Sequence, residues 1–257
     1  MQLIHLMLLL FFILAPTTIS QTLLQVTQND GLNEPKPPNL MYCESWRLAV
    51  ETNNAGDWHK IPHRCTDLVK EYVNGQQYIT DSKVVARHAQ AYAKTIVVAK
   101  DGKDVWIFDV DETLISNIQH YAIDGYSYRS KVDNESAFEK WALSAKAPAL
   151  PWSLWLYKKL QGLGFHLVLL TGRKETHRNS TEQNLISAGY HSWKTLILRN
   201  STETGKTAQE YKASKRAELV GKGYRIHGNS GDQWSDLLGW PEAKRSFKIP
   251  NPMYHIP

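Results

Sequence analysis

The stretch Val105-Trp106-Ile107-Phe108-Asp109-Val110-Asp111-Glu112-Thr113-Leu114 decides the fold. Four apolar residues lead into two aspartates spaced one residue apart, with a threonine two positions further on. A continuous apolar run of this length reads as a strand buried on both faces of a parallel sheet. Carboxylates at its C-terminal end then stand where open α/β sheets bind ligands. Two such carboxylates can hold a hard cation, and one of them can act as a nucleophile. Taken alone, the segment reads equally well as a strand end followed by an Asp-rich turn. The rest of the chain has to choose.

Outward from this segment the chain alternates. Strands are expected over residues 105–109, 166–171, 194–198, 224–228 and 246–249, with helices over 137–146, 153–161, 176–188 and 207–220 between them. Strands alternating with helices predict a parallel sheet covered on both faces. Ahead of it, residues 42–50, 65–73 and 82–98 have helical spacing and form an N-terminal helical region. Residues 118–151 interrupt the alternation and carry Tyr121, Tyr126, Tyr128, Phe138 and Trp141. They read as a small cap inserted over the mouth of the sheet, or as an ordinary surface excursion. Their aromatic side chains either line a pocket or pack the cap, and packing is the expectation. At 257 residues, 42% hydrophobic and 21% charged, the chain fits one sizeable α/β domain and not a disordered one.

The N-terminus reads as a targeting segment. Residues 1–20 hold no Lys, Arg, Asp or Glu, and residues 6–15 are an unbroken apolar run. That run is shorter than the roughly 20 residues a membrane helix needs, and it fits the core of a secretory signal peptide. Thr18 and Ser20 would set cleavage before Gln21; the alternative is a membrane anchor or an exposed apolar end. No other segment is long and apolar enough to cross a membrane. Residues 21–41, with Pro35, Pro37 and Pro38, read as an extended leader, which leaves 42–257 as the functional domain. The two cysteines, Cys43 and Cys65, are an even count in a chain expected to enter an oxidising compartment, so a disulfide is favoured over two buried thiols. Asn134, Asn179 and Asn200 each begin a glycosylation sequon. The net charge of +5 is scattered along the chain with no basic stripe and no zinc pattern, which argues against a nucleic-acid partner. A mild positive field suits an anionic substrate.

Three later segments carry polar groups at strand ends or helix starts. Leu169-Leu170-Thr171-Gly172-Arg173 ends an apolar strand in a hydroxyl and a glycine, a place where phosphate oxygens can be held or where a turn simply begins. Tyr211-Lys212-Ala213-Ser214-Lys215-Arg216 offers a lysine to balance negative charge, or a solvated basic face. Gly228-Asn229-Ser230-Gly231-Asp232-Gln233-Trp234-Ser235-Asp236 sets another aspartate past a strand end. Asp232 with Asp109 would meet magnesium's need for one or two carboxylates, while Asp236 is read as fixing the loop; each is otherwise a turn or capping residue.

The ordered set, DxDxT then Thr-Gly then Lys then GDxxxD, resembles the haloacid dehalogenase superfamily of phosphohydrolases. The strings FDVDETL (108–114), YKASKR (211–216) and GYRIHGNSGDQWSDL (223–237) resemble the plant acid phosphatases of subfamily IIIB, relatives of vegetative storage proteins. YCESWR (42–47) and PNPMY (250–254) fit the same group, so the likeness spans nearly the whole mature chain. The resemblance implies an α/β fold with a Rossmann-like parallel sheet flanked by helices, and a Mg2+-dependent phosphomonoesterase acting on small phosphomonoesters. It implies Asp109 as nucleophile, Asp111 as acid and base and as metal ligand through its carbonyl, and Thr171 and Gly172 on the phosphoryl group. Lys212 is preferred over Lys215 as the charge-balancing residue, because it directly follows the tyrosine, and Asp232 completes the metal site. It also implies a homodimer and an apoplastic or vacuolar location. Some storage relatives lack the nucleophile that this chain retains. The competing expectation is therefore a storage protein with the same fold and little catalysis; a non-catalytic binding module ranks below both.

Overall fold

The computed structural model describes residues 37–257 apart from 59, 124, 125 and 127–133, and apart from the side chains of 134 and 135. The expected signal peptide and all but the last residues of the leader lie outside the described residues. Three helices come first: α1 (Pro38–Glu51), α2 (Thr66–Asn74) and α3 (Gln76–Ala93). The sheet strands are β1 (Asp104–Phe108), β2 (His166–Lys174), β3 (Thr195–Arg199), β4 (Arg225–Gly231) and β5 (Arg245–Lys248). Between β1 and β2 run α4 (Ile118–Ile123), α5 (Asn134–Leu143) and α6 (Pro151–Gly162). The helices α7 (Arg178–Ser187), α8 (Ala208–Gly221) and the short α9 (Trp234–Leu237) follow β2, β3 and β4 in turn.

All five strands are parallel, in the order β3-β2-β1-β4-β5. The apolar run of the opening stretch is the central strand, and every residue of β1 is buried. Its alternate side chains explain why no polar residue interrupts it. Trp106 and Phe108 enter a core shared with Leu167, Leu169, Leu156 and Phe247 on one face. Val105 and Ile107 join Val168, Leu170, Tyr211 and Leu219 on the other. Both faces are covered, so alternation between polar and apolar positions is lost. A third cluster ties Cys43, Cys65, Val69, Tyr72 and Tyr78 of the N-terminal region to Tyr121, Met253 and Tyr254. Cys43 and Cys65 form the expected disulfide, with Cα atoms 5.2 Å apart.

Several boundaries differ from expectation. Helix α1 begins at Pro38 rather than 42, because proline lacks only an N–H that the first helical turn does not use. Helix α3 spans 76–93 rather than 82–98. It stops before Thr95-Ile96-Val97-Val98, four β-branched residues that crowd a helical turn. Strand β4 runs on through polar Asn229 and Ser230 because both are satisfied inside: Asn229 donates to the Asp236 carbonyl at 2.8 Å, and Ser230 Oγ accepts from Trp106 Nε1 at 3.0 Å. The register against β1 shifts by one residue, so that Gly228 pairs with Trp106. A Cβ on Gly228 would lie 2.4 Å from the indole, and only glycine fits there.

Strands β2 and β3 lie on one side of β1, β4 and β5 on the other. The reversal of strand order falls between β1 and β4, which opens a crevice at their C-terminal ends. Asp109 follows β1 and Asp232 follows β4, so both aspartates sit at that crevice.

Candidate active site

A cleft of about 360 Å3 opens at this edge of the sheet. Asp109, Asp111, Gly172, Arg173, Lys212, Asp232 and Asp236 line its base. Ligand oxygens of Asp109, Asp232 and Asp236 lie within 4.8 Å of one another, and all three residues are buried. Two of these carboxylates share a single ammonium: Lys212 Nζ donates to Asp109 Oδ1 at 2.5 Å and also to Asp236 Oδ1, while Asp232 accepts from Gln233 and Asn251, each at 2.7 Å. Lys212 comes from α8, whose start is fixed by a reciprocal cap. Thr207 Oγ1 accepts the Glu210 amide at 3.1 Å while Glu210 accepts the Thr207 amide at 2.8 Å.

Electrostatics follow from this crowding. Burial pushes the Asp109 carboxyl well above the usual range; Lys212 pulls it down, and Asp236, Asp232 and Asp111 push it up again. Asp232 is raised to about 7 by burial, Asp236 and Glu112, against hydrogen bonds from Asn251 and Gln233. Burial opposes the Lys212 charge, yet Asp109 and Asp236 hold the ammonium above the usual lysine range. Three buried carboxylates facing one cation are a hard-oxygen donor set short of positive charge, which fits a divalent cation such as magnesium.

Asp111 is handled differently. Its carboxylate accepts from Arg173 Nη2 at 2.7 Å and from Arg173 Nε at 3.2 and 3.0 Å, and from Asn117 Nδ2 at 2.8 Å. Burial would raise its pKa, but the Arg173 guanidinium and the Asn117 amide hold it below the ordinary value. The two aspartates of DxD are therefore biased in opposite directions by their surroundings. Glu112, directly after Asp111, turns inward with φ +50° and accepts from the Asn117 amide at 2.5 Å and from Tyr254 Oη at 2.6 Å. Burial and neighbouring Asp111 raise Glu112 to about 8.

The structure brings together Asp109, Asp111, Lys212, Asp232 and Gly172 in one cleft. Thr171 is buried beneath it, and its Oγ1 accepts the Arg173 amide at 3.1 Å, so the cleft is lined here by Gly172 and by the buried Arg173. Lys215 points elsewhere, 2.9 Å from both Glu203 and Glu218. Asp236 does more than the loop support expected of it: Oδ2 accepts the Gln233 amide at 3.0 Å, while Oδ1 contacts Lys212. Arg216 secures the same loop by donating to the carbonyls of Asp236, Leu238, Gly239 and Pro241. Of the cap aromatics, Tyr121 and Phe138 line the cleft, whereas Trp141 packs and donates to Asn117 Oδ1 at 2.7 Å. Tyr126 is buried, its hydroxyl accepting from Asn74 at 3.0 Å. Sequon residues Asn179 and Asn200 are exposed; the Asn134 side chain lies outside the described residues. Arg173 and Asn117 were not singled out in the sequence. The one signal for Arg173 was its position directly after Thr-Gly at a strand end.

A central strand followed by DxD, a neighbouring strand followed by a third aspartate, and a buried helix lysine meet in this one cleft. The chain belongs to the HAD superfamily, subfamily IIIB (Acid phosphatase), whose family model matches residues 28–257. It is 51% identical over 214 residues to Acid phosphatase 1 of Solanum lycopersicum, covering 83% of each chain. It is 43% identical to the Stem 28 kDa glycoprotein of Glycine max, covering 83% of this chain and 84% of the relative. With Vegetative storage protein 2 of Arabidopsis thaliana it shares 40% identity over 85% and 82% of the two chains. Among solved structures, the Class C acid phosphatase from Bacillus anthracis has the same fold, with TM-score 0.60 at 22% identity over 74% of this chain and 84% of that one.

Proposed function

We propose that this acid phosphatase family member hydrolyses small phosphomonoesters by double displacement on Asp109. An Asp109 oxygen attacks phosphorus, the ester P–O bond breaks, and Asp111, which takes up a proton when the anionic phosphate sits beside it and opposes the pull of Arg173, gives that proton to the departing alcohol. Asp111, now ionised, takes a proton from water as that water attacks the aspartyl-phosphate, which releases inorganic phosphate and restores Asp109. Lys212 balances the charge of Asp109 and of the phosphoryl oxygens. Gly172, where the pairing of β2 with β3 is irregular, lies against those oxygens, and the Thr171 hydroxyl holds this segment by accepting the Arg173 amide. Asp109, Asp232 and Asp236, with the Asp111 carbonyl, are the groups that would hold magnesium. When bound, the ion supplies neutralisation of phosphoryl charge and keeps Asp109 ionised.

The observation that carries this reading is the division of labour in DxD: Asp109 sits in the lysine-bridged carboxylate cluster while Asp111 is turned out of it. The test is Asp109→Asn assayed on an aryl phosphate with magnesium. Hydrolysis should disappear, and chelation of the metal should do the same to the natural chain; undiminished turnover in either experiment overturns the assignment. Magnesium at a hundredfold over its Kd should add about 2.7 kcal/mol of stability, a rise in Tm of roughly 5–10 °C.

The storage reading draws on the stem glycoproteins and vegetative storage proteins among the relatives. It is compatible with an intact site and predicts high abundance with a very low turnover number. Those relatives also support a secretory or vacuolar location.

A further inference from the structure

The Asp111 carboxylate is unevenly occupied. Oδ1 receives two N–H donors of its own, Arg173 Nη2 at 2.7 Å and Asn117 Nδ2 at 2.8 Å, and a share of the single Arg173 Nε–H at 3.2 Å. Oδ2 receives Arg173 Nε at 3.0 Å. The two donors come from separate elements, the end of β2 and the turn before α4, and both are themselves anchored. Arg173 Nη1 donates to buried Thr181 Oγ1 at 3.3 Å, and the Arg173 side chain is 1% exposed. Asn117 is fully buried, fixed by Glu112 at 3.0 Å from Nδ2 and by the cap residue Trp141 at 2.7 Å from Oδ1. The Asp111 side chain keeps 18% of its surface open, in a residue that lines the cleft. An oxygen whose two lone pairs each take a donor has none left for a proton; one with a single donor has.

We propose that Arg173 and Asn117 are positioning residues that pin Asp111 by Oδ1, keep its carboxylate out of the metal cluster, and leave Oδ2 as the oxygen that carries the proton to the leaving alcohol. This rests on the double-displacement reading above. In the step concerned, the Oδ2–H bond breaks and a new O–H bond forms on the alcohol. The ester oxygen takes the P–O electron pair as Asp109 bonds to phosphorus. Asn117 also ties this hold to the cap through Trp141, so cap and acid are connected by two hydrogen bonds.

The test uses leaving groups. An alkoxide needs a proton as it departs, and a nitrophenolate does not, so loss of a positioned acid is felt on alkyl phosphates first. The readout is kcat/KM, which covers the chain of steps only through departure of the alcohol. For Arg173→Met, kcat/KM on an alkyl phosphate should fall by about 100-fold or more, the size of a general-acid contribution, and on nitrophenyl phosphate by less than about tenfold. Arg173→Lys should not restore the alkyl activity, because one ammonium cannot replace a two-point fork. In an Asp111→Asn background, Arg173→Met should cost nothing further on the alkyl substrate. Asn117→Ala should show the same selectivity at smaller amplitude, which keeps the idea testable if Arg173→Met does not fold. Equal losses on both substrates in the Arg173 and Asn117 variants would overturn the proposal and make Arg173 a direct phosphate ligand. Retained activity in Asp109→Asn would instead remove the parent reading, so the two failures are distinguishable.

Discussion

Replacing Lys212 by Met removes the one ammonium from a cluster of three buried carboxylates while roughly keeping side-chain volume. The Lys212–Asp109 contact at 2.5 Å corresponds to about 7 kcal/mol of gross attraction at an effective dielectric near 20. Most of that offsets the cost of burying the charges. What remains is the cost of leaving carboxylates uncompensated, about 3–5 kcal/mol when one partner of a buried pair is removed. Expressed as proton affinity, this is roughly 2–4 pK units, in the direction that protonates Asp109, which burial already pushes upward. A protonated Asp109 cannot attack phosphorus, so kcat/KM on nitrophenyl phosphate should fall by at least about 100-fold. Loss of the ammonium and uptake of a proton by Asp109 cancel in the cluster's net charge, so magnesium should still bind, displacing that proton, measured as the magnesium-dependent rise in Tm. Lost turnover with retained metal binding is the expected pair of results. Turnover within tenfold of the natural chain, or loss of the magnesium effect on Tm, would refute the charge-balance argument.

Gly228→Ala should destabilise by about 3 kcal/mol, because Trp106 is stacked on Phe247 at 5.2 Å and hydrogen-bonded to Ser230 and cannot yield to a Cβ at 2.4 Å. A thermal melt within 2 °C of the natural chain would contradict this, since about 6–12 °C is expected. Cys43→Ser should cost roughly 3 kcal/mol, the value for closing a loop of this length, with kcat unchanged; calorimetry under oxidising conditions measures it. Asp104 is held below its ordinary pKa by Arg225, against burial, and by His227 and the Ala99 amide. Its folded-state value lies below the unfolded one, so its contribution is complete above about pH 4 and is lost as pH falls through the folded value. Asp104→Asn should therefore be less stable than the natural chain at pH 5–7, and the gap should close on acidification in denaturant titrations; a gap independent of pH would exclude this linkage.

Arg173 and Asn117 show where sequence reading ran out. Asp109, Asp111, Lys212 and Asp232 stand at positions that local pattern marks, directly after apolar strands or in the first turns of a capped helix. Arg173 also follows a strand, but its role depends on Asp111, 62 residues away, and no local pattern encodes that pairing. Asn117 is one of several polar residues after the DxD strand, and only its contacts with Asp111, Glu112 and Trp141 give it a task. Lys212 and Lys215 are separated in the same way: three residues apart on one helix, they reach different partners, which a helical turn of about 100° per residue resolves but a basic cluster read as letters does not.

The sequence by itself determined the central buried strand, the alternation of strands and helices, the disulfide partners and the ordered set of polar residues at strand ends. These follow from hydrophobic runs and periodicity, which act over a few residues. Only the tertiary structure decided that Asp236 joins Asp109 on Lys212 with Asp232 beside them, that Thr171 is buried under the cleft and accepts the Arg173 amide, and that Asp111 is held by Arg173. Those outcomes depend on which groups are buried together across the crevice between β1 and β4, where desolvation makes every charge choose a partner, and no local stretch of sequence contains that choice.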